Sequence, residues 1–325
     1  MHRPTDPLDR LDTHLHAPRI RKRTLKGGVA SLIVDATGLD SLERRALEEE
    51  LASSVGAIPE VESVRVAFTA AATRRTIIAV GSGKGGVGKS TVSANLAIAL
   101  AALGRKVGLV DADIYGPSQP TLFGAHDKPR AIENVLVPNM AHGVRMLSVG
   151  QMVAADTALA WRGPMATSAL NQMIEADWGD ADTLLIDLPP GTGDVQLTLL
   201  QKARPAGAVI VSTPQDLALI DARRAIDLFG KTGVPVLGLV ENMASYVCPH
   251  CGEASDPFGS GGAEASAAEL GLPFLGRLPL SLDVRQASDA GHPPALDEGP
   301  TREAFMALGR AVLASLDRAG SPAAG

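Results

Sequence analysis

The sequence predicts an α/β fold, a doubly wound and mostly parallel sheet, preceded by a small α+β segment. First, from Thr76 onward short runs of Val, Ile and Leu alternate with helical patterns, and most runs are apolar on both faces, as in parallel strands covered by helices. Second, the first run leads into a glycine-rich loop and then a helix. The predicted strands are TIIAV, KVGLVDAD, TLLIDLP, AGAVIVSTP, VPVLGLVEN and PFLGRLPL.

The chain before this domain divides into two parts. Residues 1–24 are rich in Pro, His, Arg and Asp and show no apolar period, so they are predicted to form a mobile tail. Residues 25–72 contain a strand (GVASLIVDA), an amphipathic helix (DSLERRALEEELASSVGAI) and a second strand (VESVRVAFT). One helix and two strands make a thin core. Residues 73–320 are predicted to form the main domain.

Composition limits the classes of function. The chain has 325 residues, a net charge of −6 and a pI of about 5.7, which gives no basic face for nucleic acid. Its two cysteines cannot form a secreted disulfide framework. The N-terminal stretch has basic residues without an apolar signal region, and the run ANLAIALAAL is too short to span a bilayer. We therefore expect a cytoplasmic protein that contacts neither nucleic acid nor membrane.

The glycine-rich loop predicts a phosphate-binding site. Gly83 to Ser90 match G-x-x-x-x-G-K-[ST], and the helix STVSANLAIALAALG follows. Glycines allow backbone N–H groups to surround phosphate oxygens at a helix N-terminus. Lys89 should reach the β- and γ-phosphates, and the Ser90 hydroxyl should bind Mg²⁺. The expected nucleotide contacts are Gly83, Lys84, Gly85, Gly86, Val87, Gly88, Lys89, Ser90 and Thr91.

Carboxylates follow two further predicted strands. Asp111 and Asp113 end the run LVDAD, where they could hold Mg²⁺ through water or position an attacking water. We expect Asp113 to be catalytic. Asp187 in LLIDLPPGTGD is placed like a Walker B aspartate and is expected to hold Mg²⁺ through water. Asp194 closes that loop and could also be a helix cap.

The two cysteines, Cys248 and Cys251, form a C-x-x-C pair. A thiolate metal site needs about four ligands, and His250 is read as a loop residue because no second histidine lies at a suitable spacing. A redox pair is possible, although the stretch does not begin a thioredoxin-type βαβ unit. A two-fold dimer would supply two thiolates from each copy. Four thiolates suit a [4Fe–4S] cluster and zinc equally well.

Several motifs together resemble one family. The stretches GKGGVGKST, DADIYGPSQP, DLPPGTGD, STPQDLAL, ENMASYVCPHCG and PFLGRLPL resemble the Mrp/ApbC family of iron–sulfur cluster carriers across residues 76–297. The loop resembles the deviant Walker A motif of MinD-type P-loop NTPases, in which the lysine at the position of Lys84 reaches the partner subunit's nucleotide. The resemblance implies a homodimeric ATPase that uses ATP and Mg²⁺, with Lys84 and Lys89 catalytic.

The resemblance also implies what the remaining motifs do. Asn242 would read the adenine base, and Pro214 and Gln215 would lie near it. Cys248 and Cys251 would bind a [4Fe–4S] cluster, which the dimer passes to apoproteins. The implied partners are these client proteins and the cluster assembly machinery. Residues 27–70 resemble the later part of a MIP18-like domain, but they read DATGLD where that domain usually carries a cysteine.

Two other functions remain open at this point. One is a MinD- or ParA-like positioning ATPase, which would need a basic amphipathic tail or face. The C-terminal stretch TREAFMALGRAVLASLDRAG is helical in pattern but has few cations, which favours packing on the domain. The other is a dimeric ATPase whose Cys₄ site holds structural zinc.

Overall fold

The computed structural model describes residues 7–70, 75–132, 134–152, 163–248 and 250–320. The chain forms two compact units. The first comprises residues up to 74 together with Asp177–Asp180, and the second comprises the rest. No helix in the described ranges is long and apolar enough to cross a membrane.

The first unit is a three-stranded sheet with one helix. Its elements are two 3₁₀ turns (Pro7–Thr13 and Ala17–Arg19), β1 (Ile20–Lys26), β2 (Val29–Asp35), α1 (Ser41–Gly56) and β3 (Ser63–Thr69). The central strand, β2, pairs antiparallel with β1 and parallel with β3. Helix α1 begins with a capping box, in which Asp40 accepts from the Glu43 N–H and Glu43 accepts from the Asp40 N–H.

The expected mobile tail is wrong for residues 7–24. Leu8 and Leu11 on the first 3₁₀ turn are buried in the same core as Leu32, Leu47 and Leu51. A short turn with two apolar residues has no period that a sequence pattern could reveal. Strand β1 was missed because IRKRTLK contains three consecutive cations and no apolar alternation. Residues 1–6 of the expected tail lie outside the described residues.

The second unit is built on a nine-stranded sheet with the order β13-β12-β11-β4-β10-β5-β9-β8, in which β14 also pairs with β12. Its strands are β4 (Thr76–Gly81), β5 (Val107–Asp111), β6 (Arg130–Ile132), β7 (Val135–Val137), β8 (Asn139–Ala141), β9 (Val144–Ser148), β10 (Thr183–Asp187), β11 (Gly207–Ser212), β12 (Val236–Val247), β13 (Ala254–Ser255) and β14 (Phe274–Leu280). Strands β6 and β7 form a separate hairpin. The six predicted strands and the mostly parallel sheet are confirmed, and β8 and β13 are antiparallel additions.

The helices are α2 (Lys89–Ala102), α3 (Gln119–Leu122), α4 (Val149–Met152), α5 (Gly163–Ile174), α6 (Asp194–Ala203), α7 (Asp216–Lys231), α8 (Gly262–Glu269), α9 (Leu282–Asp289) and α10 (Pro300–Gly320). Alternate residues of β4 face opposite sides of the sheet. Ile78 and Val80 pack in the core formed with α2 and α10, whereas a Cβ at Gly81 would lie 3.0 Å from the Phe229 ring on α7. Helices therefore cover both faces, as a doubly wound fold requires.

Candidate functional site

The phosphate loop joins β4 to α2 at the carboxyl edge of the sheet. Gly86 and Gly88 have φ of +80° and +77°, a left-handed backbone that favours glycine. The loop borders a cavity of about 220 Å³. Its lining includes predicted residues Lys84, Gly85, Gly86, Gly88, Lys89, Ser90, Thr91 and Asp113, together with Ser82, Ser118, Leu122 and Pro190. The structure thus brings most of the predicted phosphate contacts together.

Close packing also restricts two loop glycines, Gly83 and Gly88. A Cβ at Gly83 would lie 2.0 Å from the backbone carbonyl carbon and oxygen of Asp221 on α7. A Cβ at Gly88 would lie 2.2 Å from Nδ2 of Asn242 on β12. Gly83 and the buried Val87 therefore support the loop from behind rather than line its cavity.

Lys89 and Asp187 form a buried ion pair. The Nζ atom of Lys89 donates to Oδ1 of Asp187 at 2.6 Å and lies 3.3 Å from the Ser90 hydroxyl. The Ser93 hydroxyl donates to the same carboxylate oxygen at 2.8 Å. The sequence-predicted Walker B residue is therefore beside the phosphate-loop lysine, because β4 and β10 are neighbours in the sheet.

Asp111 is fully buried on the neighbouring strand, β5. Its Oδ2 accepts from the Ser148 hydroxyl at 2.8 Å and from the Gln119 N–H at 3.1 Å, and its Oδ1 accepts from the Asp113 N–H. Burial, followed by the nearby charge of Asp187, raises the pKa of Asp111 to about 7. A fully buried acid in the centre of the network suits a supporting role better than contact with a ligand.

Asp113 reaches the phosphate cavity and also shapes its own loop. Its Oδ1 accepts from the N–H groups of Tyr115 and Gly116 at 3.1 and 3.2 Å. Asp194 is exposed and lines neither of the cavities described here. It is the first residue of α6 rather than its cap, which is Gly193, and its charge lies at the helix N-terminus.

Gln119 is a site residue that sequence reasoning missed. Its amide nitrogen donates to Oδ2 of Asp187 at 2.9 Å and to the Ser90 carbonyl at 3.0 Å. Its Oε1 is buried and has no hydrogen-bond partner among the described residues. Gln119 lies 68 residues from Asp187 in sequence, so no local pattern links the two. It joins the loop after β5 to the end of β10.

A second cavity, of about 280 Å³, adjoins the first. Both are lined by Gly88, Thr91 and Leu122, so one elongated ligand could span them. Asn242 lines this second cavity, and its Nδ2 donates to the Val87 carbonyl at 2.8 Å. The predicted base-reading residue therefore lines this second cavity.

Two residues expected near the base, Pro214 and Gln215, have their surroundings at α7 and α8. Pro214 packs beside the start of α8, where a Cβ at Gly262 would lie 2.6 Å from its carbonyl oxygen. Gln215 caps α7 without a side-chain hydrogen bond. Neither lines the two cavities described here, although the strand before them, β11, neighbours β4.

The cysteine pair lies at the tip of a hairpin. Strand β12 continues past Asn242 and pairs with the short β13. The Cys248 N–H donates to the Glu253 carbonyl at 3.0 Å, and the Gly252 N–H donates to the Cys248 carbonyl at 2.8 Å. Both thiols are free, Cys248 half-buried and Cys251 exposed. Pro249, between them, lies outside the described residues.

Backbone groups of this hairpin favour the thiolate. The N–H groups of Cys251 and then His250 hydrogen-bond to the Cys248 sulfur and lower the pKa of its thiol. Thiolate is the form that binds metals. Within the described ranges no group of three or more His, Cys, Asp or Glu side chains is placed to hold a metal ion.

Glu241 fixes β12 immediately before Asn242, and sequence reasoning missed it. Its buried carboxylate accepts from the N–H groups of Gly261 and Ala263 at 3.0 and 2.8 Å, which caps α8. It also accepts from Nε of Arg277 on β14 at 3.1 Å. A buried charge held by three donors keeps its strand in one position.

Comparisons with known proteins agree with this architecture. The family described as ParA: NUBPL iron-transfer P-loop NTPase matches residues 73–313. An iron-sulfur cluster carrier protein from Pseudomonas fragi is 51% identical over 226 residues, covering 68% of this chain and 79% of its own. One from Deinococcus radiodurans is 44% identical over 308 residues, covering 90% and 87%.

Solved structures give the same fold. A nucleotide-binding protein from Archaeoglobus fulgidus, in complex with ADP, is 40% identical with a TM-score of 0.61, covering 70% of this chain and 90% of its own. The cell division ATPase MinD of Pyrococcus furiosus shares the fold at a TM-score of 0.57 and 24% identity, covering 74% and 98%. The chain belongs to the family of NUBPL-type iron-transfer P-loop NTPases.

Proposed function

We propose that the protein is a cytoplasmic, ATP-driven carrier of [4Fe–4S] clusters that works as a homodimer and passes its cluster to apoproteins. The observation that carries this proposal is the exposed Cys248–Cys251 hairpin. It extends from the same strand that carries Asn242, which lines the second cavity. We call this second cavity the nucleoside cavity, since it is where the nucleoside would bind. The names of the bacterial relatives support iron–sulfur carriage, and the ADP bound by the Archaeoglobus fulgidus protein supports an adenine nucleotide.

The donor set suits Mg²⁺. Ser90 and Asp187 offer hard oxygen ligands, and the unpartnered Oε1 of Gln119 is a further acceptor beside them. Ser90 would bind the ion directly, and Asp187 would hold it through water. When bound, Mg²⁺ neutralises charge on the β- and γ-phosphate oxygens.

The side chains around the cavity divide the hydrolytic work. Lys89 exchanges its contact with Asp187 for the β- and γ-phosphates, and the loop N–H groups hold the remaining oxygens. Asp113 orients the water whose oxygen bonds to the γ-phosphorus as the bond to the bridging oxygen breaks. Lys84 lines the same cavity and, across a dimer, would stabilise charge on the partner subunit's nucleotide.

The cluster is cargo rather than a resident cofactor. Each chain offers two thiols, so a two-fold dimer offers about four ligands, which a [4Fe–4S] cluster requires. Exposure of Cys251 leaves the cluster accessible to cysteines of an apoprotein, which would replace the carrier's thiolates one at a time. The lowered pKa of Cys248 favours the ligand form.

Anaerobic reconstitution tests the proposal. Wild-type protein should take up about four irons per two chains, show cluster absorption and form a tighter dimer when loaded. Cys248→Ser and Cys251→Ser should each lose the cluster yet still bind ADP. His250→Ala is the matched control, because it keeps the backbone N–H and removes no thiol, so it should load normally.

Other outcomes would reject this reading. Four irons on a monomer would refute the shared site, and zinc uptake without iron would favour a structural Cys₄ site. If the wild-type chain does not bind ADP, the proposed use of an adenine nucleotide is wrong.

A further inference from the structure

The nucleoside cavity contains a polar side chain whose function is not yet explained. Most of its wall is apolar and suits the faces of a planar base, with contributions from Met243, Leu278, Leu280, Val284 and Phe305. Ser288 on α9 also lines this cavity. It is 5% exposed, and its hydroxyl has no hydrogen-bond partner among the described residues.

Three other buried serines of this unit are hydrogen-bonded. Ser93 donates to Asp187, Ser148 donates to Asp111, and Ser315 donates to the Leu237 carbonyl at 2.6 Å. A buried hydroxyl without a partner costs about 1–3 kcal/mol. Such a cost at a cavity wall indicates that a ligand supplies the missing partner.

The Asn242 amide has a defined orientation at the same cavity. Its nitrogen donates to the Val87 carbonyl, so its oxygen is the end left for a ligand. The amide oxygen of Asn242 can accept a hydrogen bond from the exocyclic amino group of adenine. Guanine carries a keto oxygen at that position, and two acceptors that face each other form no hydrogen bond.

We propose that Ser288 is a second base-reading residue, which together with Asn242 selects adenine over guanine. Adenine presents an amino donor beside a ring-nitrogen acceptor, and a serine hydroxyl rotates to donate to such a nitrogen. A site with paired donors and acceptors rejects a base that leaves them unsatisfied. This inference rests on the proposed use of ATP.

The test compares ligands that share phosphates but differ in the base. ADP, GDP and pyrophosphate are titrated calorimetrically into the full chain and into Ser288→Ala. Loss of one hydrogen bond should weaken ADP binding about 5–10-fold and lower the ADP-to-GDP preference by a similar factor. Pyrophosphate affinity should be unchanged. The Tm of the ligand-free variant should not fall, because an unpartnered hydroxyl is removed.

Ser315→Ala is the matched control. It removes a buried hydroxyl that is hydrogen-bonded away from the cavity, so it should lower the ligand-free Tm and leave ADP affinity unchanged. Wild-type ADP affinity in Ser288→Ala, or an equal loss for pyrophosphate, would overturn the inference. A wild-type chain that prefers GDP would instead overturn the proposed use of ATP, whatever Ser288→Ala does.

Discussion

At the scale of single residues, the buried charges of the site are paired with an opposite charge and with hydrogen-bond donors. Lys89 is the cation between Asp187 and the phosphate cavity, and donors from Ser93 and Gln119 complete the Asp187 carboxylate. In the proposed cycle these two uncharged donors would stay with Asp187 when the lysine moves to a phosphate. The carboxylate would therefore keep partners, which limits the cost of breaking a buried ion pair.

Asp111 should make stability depend on pH. Its pKa of about 7 in the folded chain lies above the usual 3.8, so between these values the folded chain holds a proton that the unfolded chain has released. Its contribution is full below about pH 3.8 and is lost as the pH rises through about 7. Asp111→Asn removes this dependence and keeps an acceptor for Ser148.

Denaturant unfolding at pH 5, 6, 7 and 8 measures the effect. The advantage of Asp111→Asn over wild type should grow across this range, by up to a few kcal/mol. Parallel stability curves for the two proteins would show that Asp111 is already ionised at pH 5.

Asp113 should matter more for turnover than for nucleotide binding. It lines the phosphate cavity where a carboxylate could orient water, and general-base groups contribute about 10²–10⁴-fold to rate. Asp113→Asn keeps the acceptor for the Tyr115 and Gly116 N–H groups but cannot take a proton. We expect kcat to fall by about 10²-fold or more while ADP affinity changes little.

Asp113→Ala separates the two functions of this side chain. It also removes the loop contacts, so it should lose nucleotide affinity in addition to turnover. Equal and small effects of both variants on kcat would assign Asp113 a purely structural role.

At the scale of elements, the sequence predicts those parts of the site that a local motif or strand pattern defines. The phosphate loop needs only its motif between β4 and α2, and parallel strand order then places Asp187 beside it. Strand β9 was missed because Arg145 interrupts its apolar run. Gln119 and Glu241 act through partners distant in sequence, and such contacts leave no periodic signal. Ser288 lines its cavity together with residues as distant in sequence as Gly88, so it leaves none either.

Gly83 links the phosphate loop to α7, so Gly83→Ala should destabilise the second unit. The new methyl carbon would lie 2.0 Å from the Asp221 backbone, which cannot move as a flexible side chain can. We expect a loss of about 1–3 kcal/mol or more in denaturant unfolding. Gly230→Ala on the same helix is the control, because its Cβ meets nothing within 4 Å and should be neutral or stabilising. A Gly83→Ala variant as stable as wild type would show that α7 moves to accommodate the new methyl group.

At the scale of the whole molecule, the proposed nucleotide and cluster sites share one continuous strand. Asn242 in the nucleoside cavity is followed by Met243, whose φ of +58° is uncommon for a residue other than glycine. The hairpin that contains Cys248 then follows. The pairing of β12 with β14 also shifts register between Asn242 and Tyr246. The strand is therefore irregular between the two sites, while Glu241 anchors it before the irregularity.

Deletion of residues 1–72 should leave a folded, nucleotide-binding domain. Every strand of the nine-stranded sheet begins at Thr76 or later, and both cavities are lined by residues of the second unit alone. The buried core that includes Leu8 and Leu51 belongs to the first unit and is separate from that of α2 and α10. The truncated chain should therefore unfold in one cooperative transition and bind ADP within a few-fold of the full chain.

Urea unfolding monitored by circular dichroism, with ADP titration of both proteins, measures this. A broad, non-cooperative transition would show that the second unit needs the first to fold, and cooperative unfolding without ADP binding would show that the first unit supports the nucleotide site.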